Sequence, residues 1–308
     1  MRADSFTFEA EDAKEIFVYR WLPDESARVK AVVHVSHGMA EHAARYARLA
    51  EALTGAGYAV YANDHRGHGK TARDGELGFL GAEGGFGRVV QDLRELAAHE
   101  KAAHAGAPFF LFGHSMGSFF TQAFMIEAGS SLRGAVLSGS SGKPSLLATA
   151  GRLIARVERA RLGPKTASQL LTKLSFDGFN KAFRPNRTGF DWLSRDEAEV
   201  DKYVADPLCG FAVATQLWVD VLDATADIAR PERQALIPKD LPVLIFSGSE
   251  DPVGEMTKSV AQLVGAYERA GLRDVKHKFY SGGRHEMLNE TNRDEVTRDV
   301  IAWLDEHV

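Results

Sequence analysis

Short apolar runs of strand length, each followed by a longer segment of helical periodicity, constrain this chain more than any other feature. AVVHVSHG (31–38) precedes a pattern over 42–56 in which Ala43, Tyr46, Ala47, Leu49, Ala50 and Leu53 share one face. YAVYAND (58–64) leads through a Gly-rich loop to a second pattern near 87–104, with Val89, Val90, Leu93, Leu96 and Ala97 inward. FFLFGH (109–114) runs directly into a helix from Ser115 to about Gly129, and GAVLSGS (134–140), PVLIFSGSED (242–251) and KHKFYSGG (276–283) follow. These runs are almost continuously apolar rather than alternating, as burial on both faces by crossover helices requires. FTFEA and EIFVYRW predict an antiparallel start. The expected class is α/β, with a mostly parallel, doubly wound sheet.

Between about 141 and 238 the rhythm breaks. No strand pattern is visible there, only helical patterns punctuated by Gly163-Pro164, Arg184-Pro185, Asp206-Pro207 and Arg230-Pro231. A structureless loop of that length is improbable in a compact domain, so a helical insertion lying over the sheet is expected. The chain's 308 residues then divide into one sheet domain, 1–140 with 239–308, and a cap, 141–238. With 44% hydrophobic and 26% charged residues, the chain as a whole is globular rather than disordered. The net charge of -5 argues against nucleic acid as a partner. A single cysteine, Cys209, rules out an internal disulfide, and the acidic N-terminal stretch lacks the apolar core of a secretory leader. No run of about 18 apolar residues occurs, and a cytoplasmic setting is expected.

Gly113-His114-Ser115-Met116-Gly117 fits G-x-S-x-G, directly after a strand and directly before a helix. That context is what a nucleophile elbow demands. Ser115 must occupy a tight, strained turn in which side chains at 113 and 117 would collide with neighbouring backbone. The same turn sets the hydroxyl over a helix N-terminus, where developing negative charge is favoured. The bland alternative is a Gly-rich strand–helix turn with an incidental serine.

A serine hydroxyl needs a base, and the base needs an acid to orient it. After an elbow of this kind the chain order is serine, acid, histidine, on loops following later strands. Of eleven histidines, His34 and His277 fall inside strands, His99, His104 and His307 on or near helix ends, and His114 within the elbow. His285 follows the last strand, in the loop Gly282-Gly283-Arg284-His285-Glu286. The loop after GAVLSGS offers no carboxylate, whereas the loop after VLIFSGS offers Glu250 and Asp251. Asp251, turning out of the strand end before Pro252, is the acid chosen, with Glu250 in reserve. For the oxyanion, one donor is the backbone N–H of Met116. The other is that of Met39, in the loop beginning His37-Gly38-Met39.

Other clusters look less chemical. Asp64-His65-Arg66-Gly67-His68-Gly69, with His37 and His42, lacks the compact ligand spacing of zinc enzymes, and the chain has no Cys-x-x-Cys pair for a structural zinc, so no bound metal is expected. GFLGAEGGFG (78–87) does not sit between a strand and a helix N-terminus, so no phosphate cradle and no cofactor are expected.

On these residues the chain resembles the α/β-hydrolase superfamily and, within it, the monoacylglycerol lipase and lysophospholipase-like serine hydrolases. The segments carrying the resemblance are HGMAEHAARY (37–46), DHRGHGKT (64–71), GHSMGS (113–118), SGSEDPVG (247–254) and GGRHEMLNE (282–290). They span most of the sheet domain in the family's order. The resemblance implies nucleophile Ser115, base His285, acid Asp251 and oxyanion donors Met39 and Met116, in agreement with the reading of the residues alone. It also implies that 141–238 is a substrate-selecting cap. Thr71 stands where many relatives carry serine, in a turn that reads as structural.

Lys143 to Arg187 holds ten basic residues against two acids, Glu158 and Asp177. In LLATAGRLIARVERARLG the periodicity sets Leu146, Ala150, Leu153, Ile154 and Val157 on one side and Arg152, Arg156 and Arg159 mostly opposite. Such a stretch either meets an anionic lipid surface or packs its apolar face inward beneath a solvated basic face. Phe176, Phe179, Phe183, Phe190, Trp192, Leu217 and Trp218 are either an acyl pocket or cap core. The expected reaction is hydrolysis of a carboxylic ester, a monoacylglycerol or lysophospholipid-like lipid, through an acyl-enzyme. The rivals are the same triad acting on an amide, a C–C bond or in acyl transfer, and a non-catalytic protein binding small hydrophobic ligands. Epoxide and haloalkane hydrolysis are disfavoured, because those branches carry a carboxylate where Ser115 stands.

Overall fold

Strand β1 (Arg2–Glu9) pairs antiparallel with β2 (Glu15–Leu22) in a register running from Arg2 opposite Leu22 to Glu9 opposite Glu15. The structure is a computed structural model, describing residues 1–24, 28–144 and 146–308 and leaving aside the side chains of 146–148, so Leu146 lies outside the described side chains. β3 (Val32–Ser36) leads through one turn of 3₁₀ helix to α1 (Ala47–Gly55), and β4 (Ala59–Asn63) leads to α2 (Gly85–Ala103). β5 (Phe109–His114), α3 (Met116–Ala128) and β6 (Gly134–Ser138) complete the first half. Five helices follow: α4 (Leu146–Leu162), α5 (Gln169–Asn180), α6 (Glu197–Ala205), α7 (Thr215–Ile228) and α8 (Pro231–Gln234). β7 (Val243–Gly248), α9 (Lys258–Arg269), β8 (Val275–Tyr280) and α10 (Arg293–Glu306) close the chain.

The eight strands form one sheet in the order β1-β2-β4-β3-β5-β6-β7-β8, with β2 antiparallel to β4 and every later pair parallel. Every residue of β3, β4, β5, β6 and β7 is buried, so their unbroken apolar character is what two covered faces demand. α1 and α10 cover one face through Leu49, Leu53, Val300 and Trp303; α2, α3 and α9 cover the other through Leu93, Phe120, Phe124 and Leu263. β8 differs. Its Lys276, His277 and Lys278 are exposed because it is an edge strand, and charge on an edge blocks pairing with a further chain.

From β3 the chain moves outward to β4, then crosses back to β5 on the other side of β3. Where strand order reverses in this way, the loops at the carboxyl ends of the two strands part and leave a crevice. The loops after β3 and β5 carry Met39 and Ser115, so topology alone brings those distant segments together.

Between β6 and β7 the described residues form no strand, only an isolated bridge from Ala167 to Ala214. α7 packs on α2 and α3, and α4 packs on α7. The orientation of α4 departs from its periodicity. Ala155 and Glu158 are buried, while Leu153 and Val157 are 66% and 56% exposed. Arg152 and Arg156 point to α7, where both bond the Asp223 carboxylate, and Arg159 bonds Gln216. Acidic and amide partners on α7 hold the basic stripe along that helix, with Arg156 still 53% exposed, and part of the apolar face looks out. No helix of the described residues is long and apolar enough to cross a membrane.

Candidate active site

Ser115 sits at the β5–α3 junction with φ 52° and ψ -121°, a conformation an L-residue adopts only under constraint. The flanking glycines supply the room. A Cβ at 117 would lie 2.0 Å from the Ser36 carbonyl oxygen, and one at 113 would lie 2.5 Å from that of Gly117. Thus β3 and α3 approach more closely than any side chain there permits. Ser115 N–H donates to the Ser138 carbonyl of β6, which anchors the turn on the neighbouring strand.

Asp251 leaves the end of β7 fully buried. Its carboxylate accepts from the Val253 N–H at 2.9 Å and the Ser247 hydroxyl at 3.0 Å. His285 Nδ1 lies 2.9 Å from Asp251 Oδ1, and the ring is 2% exposed. Burial pushes the Asp251 carboxyl up, but the His285 charge and these donors outweigh it and hold the group below the usual carboxylate range. Burial pulls His285 down, and the Asp251 carboxylate more than reverses that, so the imidazole titrates above its ordinary 6.5. Glu250, the reserve acid, has its N–H bonded to the Gly283 carbonyl and is not the residue that meets His285.

Ser115, His285, Met39 and Met116 all line one cavity of about 820 Å³. Among the described residues Ser115 and His285 share no hydrogen bond. Such bonds are often long before substrate binds. Nor do the Met39 and Met116 amides donate to any described residue, which leaves both N–H groups available. Most of the remaining wall is apolar, with Phe119 from α3, Ile154, Leu171, Phe176, Trp218 and Val221 from the helices between β6 and β7, and Trp192 from the turn before α6. The seven aromatic and leucine candidates therefore divide. Phe176, Phe179, Trp192 and Trp218 line the cavity, while Phe183 and Phe190 pack in a satellite cluster and Leu217 in the main core.

Several residues that pattern reading passed over hold this site. The Trp192 ring packs at a tilt against that of His285, with centroids 5.0 Å apart, and its backbone carbonyl accepts the His285 backbone N–H. Arg45 bridges two buried carboxylates, bonding both Glu286 oxygens at 2.7 Å and Glu41 as well. Glu41 in turn accepts the Gly38 N–H at 2.6 Å, just before Met39. Although burial pushes both carboxyls up, the guanidinium holds Glu41 and Glu286 low. Ala40, at φ 54°, presents its carbonyl to the Tyr203 hydroxyl and the Gly210 N–H. A sequence signal existed for the first of these pairs, since Glu41 and Arg45 are four apart, but their buried partner at 286 is visible only in three dimensions.

Of the histidines around the Asp64 turn, His37, His65 and His68 are held in a hydrogen-bonded framework. His37 Nε2 accepts the His65 N–H, His65 Nε2 meets Ser36 Oγ, and His68 Nδ1 meets the Arg66 carbonyl. Burial and its histidine neighbours keep His65 well below 6.5, and burial takes His68 down to about 4. Asp64 accepts from the Ala43 and Lys70 N–H groups, and Thr71 donates to the Asp64 carbonyl while accepting from Phe17 N–H. Threonine therefore serves that turn fully.

Residues 27–292 match the family described as serine aminopeptidase, S33. A monoacylglycerol lipase of Mycolicibacterium smegmatis is 30% identical over 288 residues, covering 94% of this chain and 92% of its own. Human monoglyceride lipase is 31% identical over 298 residues, covering 94% and 85%. A highly thermostable carboxyl esterase from Bacillus coagulans, solved in complex with glycerol, superimposes with a TM-score of 0.91 at 27% identity, covering 100% of this chain and 99% of that one.

Proposed function

Because the chain belongs to the serine aminopeptidase S33 family, on an α/β-hydrolase fold, we propose that it hydrolyses monoacylglycerols or lysophospholipid-like esters through Ser115, His285 and Asp251. The relatives support an ester hydrolase; the triad, the acyl-enzyme and the lipid substrate are our reading. The observation that carries it is the buried His285–Asp251 pair on the wall of a large apolar cavity that Ser115 shares.

In this mechanism His285 Nε2 takes the Ser115 proton as Oγ attacks the ester carbonyl, and Asp251 keeps Nδ1 protonated and the ring aligned. The Met39 and Met116 N–H groups receive the oxyanion. His285 then gives its proton to the departing alcohol, and water releases the fatty acid by the reverse path. Phe176, Trp192, Trp218 and their neighbours take the acyl chain.

The family's description names an aminopeptidase, and the cavity argues for the ester. Most of its wall is apolar, which suits an acyl chain better than the charged N-terminus of a peptide. Residues 141–238 are proposed as the cap over the catalytic domain (1–140 with 239–308), since α4, α5 and α7 supply the cavity's apolar wall. The exposed Leu153, Val157, Leu170 and Leu174, beside Lys173, would touch a lipid surface. A cytoplasmic setting, in keeping with the single cysteine, belongs to the same proposal.

Monoacylglycerols and p-nitrophenyl esters of graded chain length, with an aminoacyl p-nitroanilide beside them, test this reading. Turnover should favour acyl chains beyond about eight carbons, given the size of the cavity. Ser115→Ala should lower kcat by about 10⁶ and abolish fluorophosphonate labelling. Preference for the anilide, or labelling that survives Ser115→Ala, would overturn it.

A further inference from the structure

His42, Asp206 and Cys209 each offer a ligand atom, all lying within 4.8 Å of one another. They come from two segments 164 residues apart. His42 follows the loop that carries Met39, and Asp206 and Cys209 lie in the turn after α6. Among the described residues this is the one set of three or more His, Cys, Asp or Glu side chains close enough to share a cation. We propose that His42, Asp206 and Cys209 form a binding site for a divalent transition-metal ion, zinc by its donor set, which ties the oxyanion loop to the segment following α6.

The donor chemistry decides the class of ion. One imidazole nitrogen, one carboxylate oxygen and one thiolate sulfur suit zinc and its near neighbours, and a thiolate disfavours magnesium and calcium. Tetrahedral bonds of about 2.0 Å to nitrogen and oxygen and about 2.3 Å to sulfur place ligand atoms roughly 3.3–3.6 Å apart. His42 Nε2 and Asp206 Oδ2 now stand 2.8 Å apart as a hydrogen-bonded pair, so they must open slightly while the sulfur closes by about 1 Å at most. Side-chain rotation covers both shifts.

Two features favour a ligand over a purely structural hydrogen bond. His42 is 8% exposed and, among the described residues, its ring bonds only Asp206, another member of the set, with Nδ1 left unbonded, so no outside framework bond must break for the imidazole to turn a nitrogen to an ion. The local charge is also unbalanced. Asp206 is ion-paired with His42, and the nearby Glu41 and Glu286 share the single charge of Arg45, three carboxylates to one guanidinium. A dication neutralises that excess. Access exists too, since the Asp206 side chain is 32% exposed and leaves room for a water as fourth ligand. Binding exchanges the thiol proton for the metal: the S–H bond breaks, the S–metal bond forms, and one proton passes to buffer.

The single cysteine makes the test unambiguous, because a sulfur in the metal's first shell can come from no other residue. The full chain, freed of metal with a chelator, is titrated with cobalt(II) and followed by absorption. One equivalent should give tetrahedral visible bands together with a thiolate-to-cobalt charge-transfer band in the near ultraviolet. Cys209→Ser should abolish that band, and His42→Gln and Asp206→Asn should each weaken binding on the order of a hundredfold. X-ray absorption of the zinc-loaded native protein needs no variant. It should show one sulfur at about 2.3 Å with nitrogen and oxygen ligands at about 2.0 Å. A first shell of nitrogen and oxygen only, the result if zinc sits on His285 and Asp251 instead, would overturn the proposal. So would a thiolate band that survives both His42→Gln and Asp206→Asn.

Discussion

The Tyr203 hydroxyl donates a 2.8 Å hydrogen bond to the Ala40 carbonyl, so helix α6 grips the loop that brings Met39 to the cavity wall beside Ser115. Ala40 sits at φ 54°, a backbone state that costs about 1 kcal/mol or more and holds only when its surroundings impose it. Gly210 N–H supplies the second anchor on the same carbonyl. Tyr203→Phe removes one anchor and keeps the ring packed against Phe190. The expected result is a fall in kcat of about fivefold with KM little changed, as loss of an interaction worth about 1 kcal/mol in the transition state implies. Steady-state kinetics on one monoacylglycerol checks it, and a rise in KM at constant kcat would assign Tyr203 to substrate binding instead.

The acid limb of the pH profile follows from the His285–Asp251 contact. The base must be neutral to accept a proton. Its titration is raised above 6.5 because the Asp251 charge outweighs burial. Activity on an uncharged ester should therefore rise with pH through a midpoint above 6.5 and be lost below it. Asp251→Asn removes the raising charge, so the limb should move to lower pH while kcat drops by about 10⁴. Profiles of kcat/KM for both proteins decide the matter; an unmoved limb would detach it from His285.

Arg45 carries a structural load that its position does not advertise. With side chains 13%, 4% and 7% exposed, Arg45, Glu41 and Glu286 form a buried triad around one guanidinium. Arg45→Met strands two carboxylates and should cost about 3–5 kcal/mol, seen as a lower midpoint in urea unfolding. Adding Glu41→Gln and Glu286→Gln should recover much of that stability, since the damage lies in unpaired charge and not in lost volume. No recovery would show that Arg45 acts through packing, including its stacking over Tyr203.

Leu153→Asp and Val157→Asp test the outer face of α4. Both positions are more than half exposed and neither lines the cavity, so stability and turnover of a soluble short-chain ester should be unchanged. Sedimentation with anionic vesicles should weaken by about tenfold for each change, the equivalent of one exposed aliphatic side chain no longer entering lipid. Equal binding by the native and doubly substituted proteins would remove this face from any lipid contact.

Local chemistry written in consecutive residues was legible before any coordinates. Gly113 and Gly117 bracket Ser115 in a pattern of five consecutive residues, because a side chain at 113 would strike Gly117 and one at 117 would strike Ser36 of β3. Unbroken apolar runs named five buried strands, since burial on two faces leaves no polar alternation to preserve. The order of Asp251 and His285 after Ser115 narrowed the acid and base to single loops. By contrast, the rotation of α4 about its axis could not be read from its own periodicity. Asp223, some seventy residues on, pairs with both Arg152 and Arg156, and Leu153 and Val157 stand in solvent.

The bond from Tyr203 to Ala40, the grip of Arg45 on Glu286 and the meeting of His42 with Cys209 share one property: each joins segments more than 150 residues apart. Periodicity and spacing report only what a residue's near neighbours along the chain require. Which distant side chain fills a buried polar group's remaining bond is settled when the sheet's strand order and the helices above it bring the two together. The sequence by itself therefore determined the fold class and the chemical cast of the site, and tertiary packing alone decided how that cast is held.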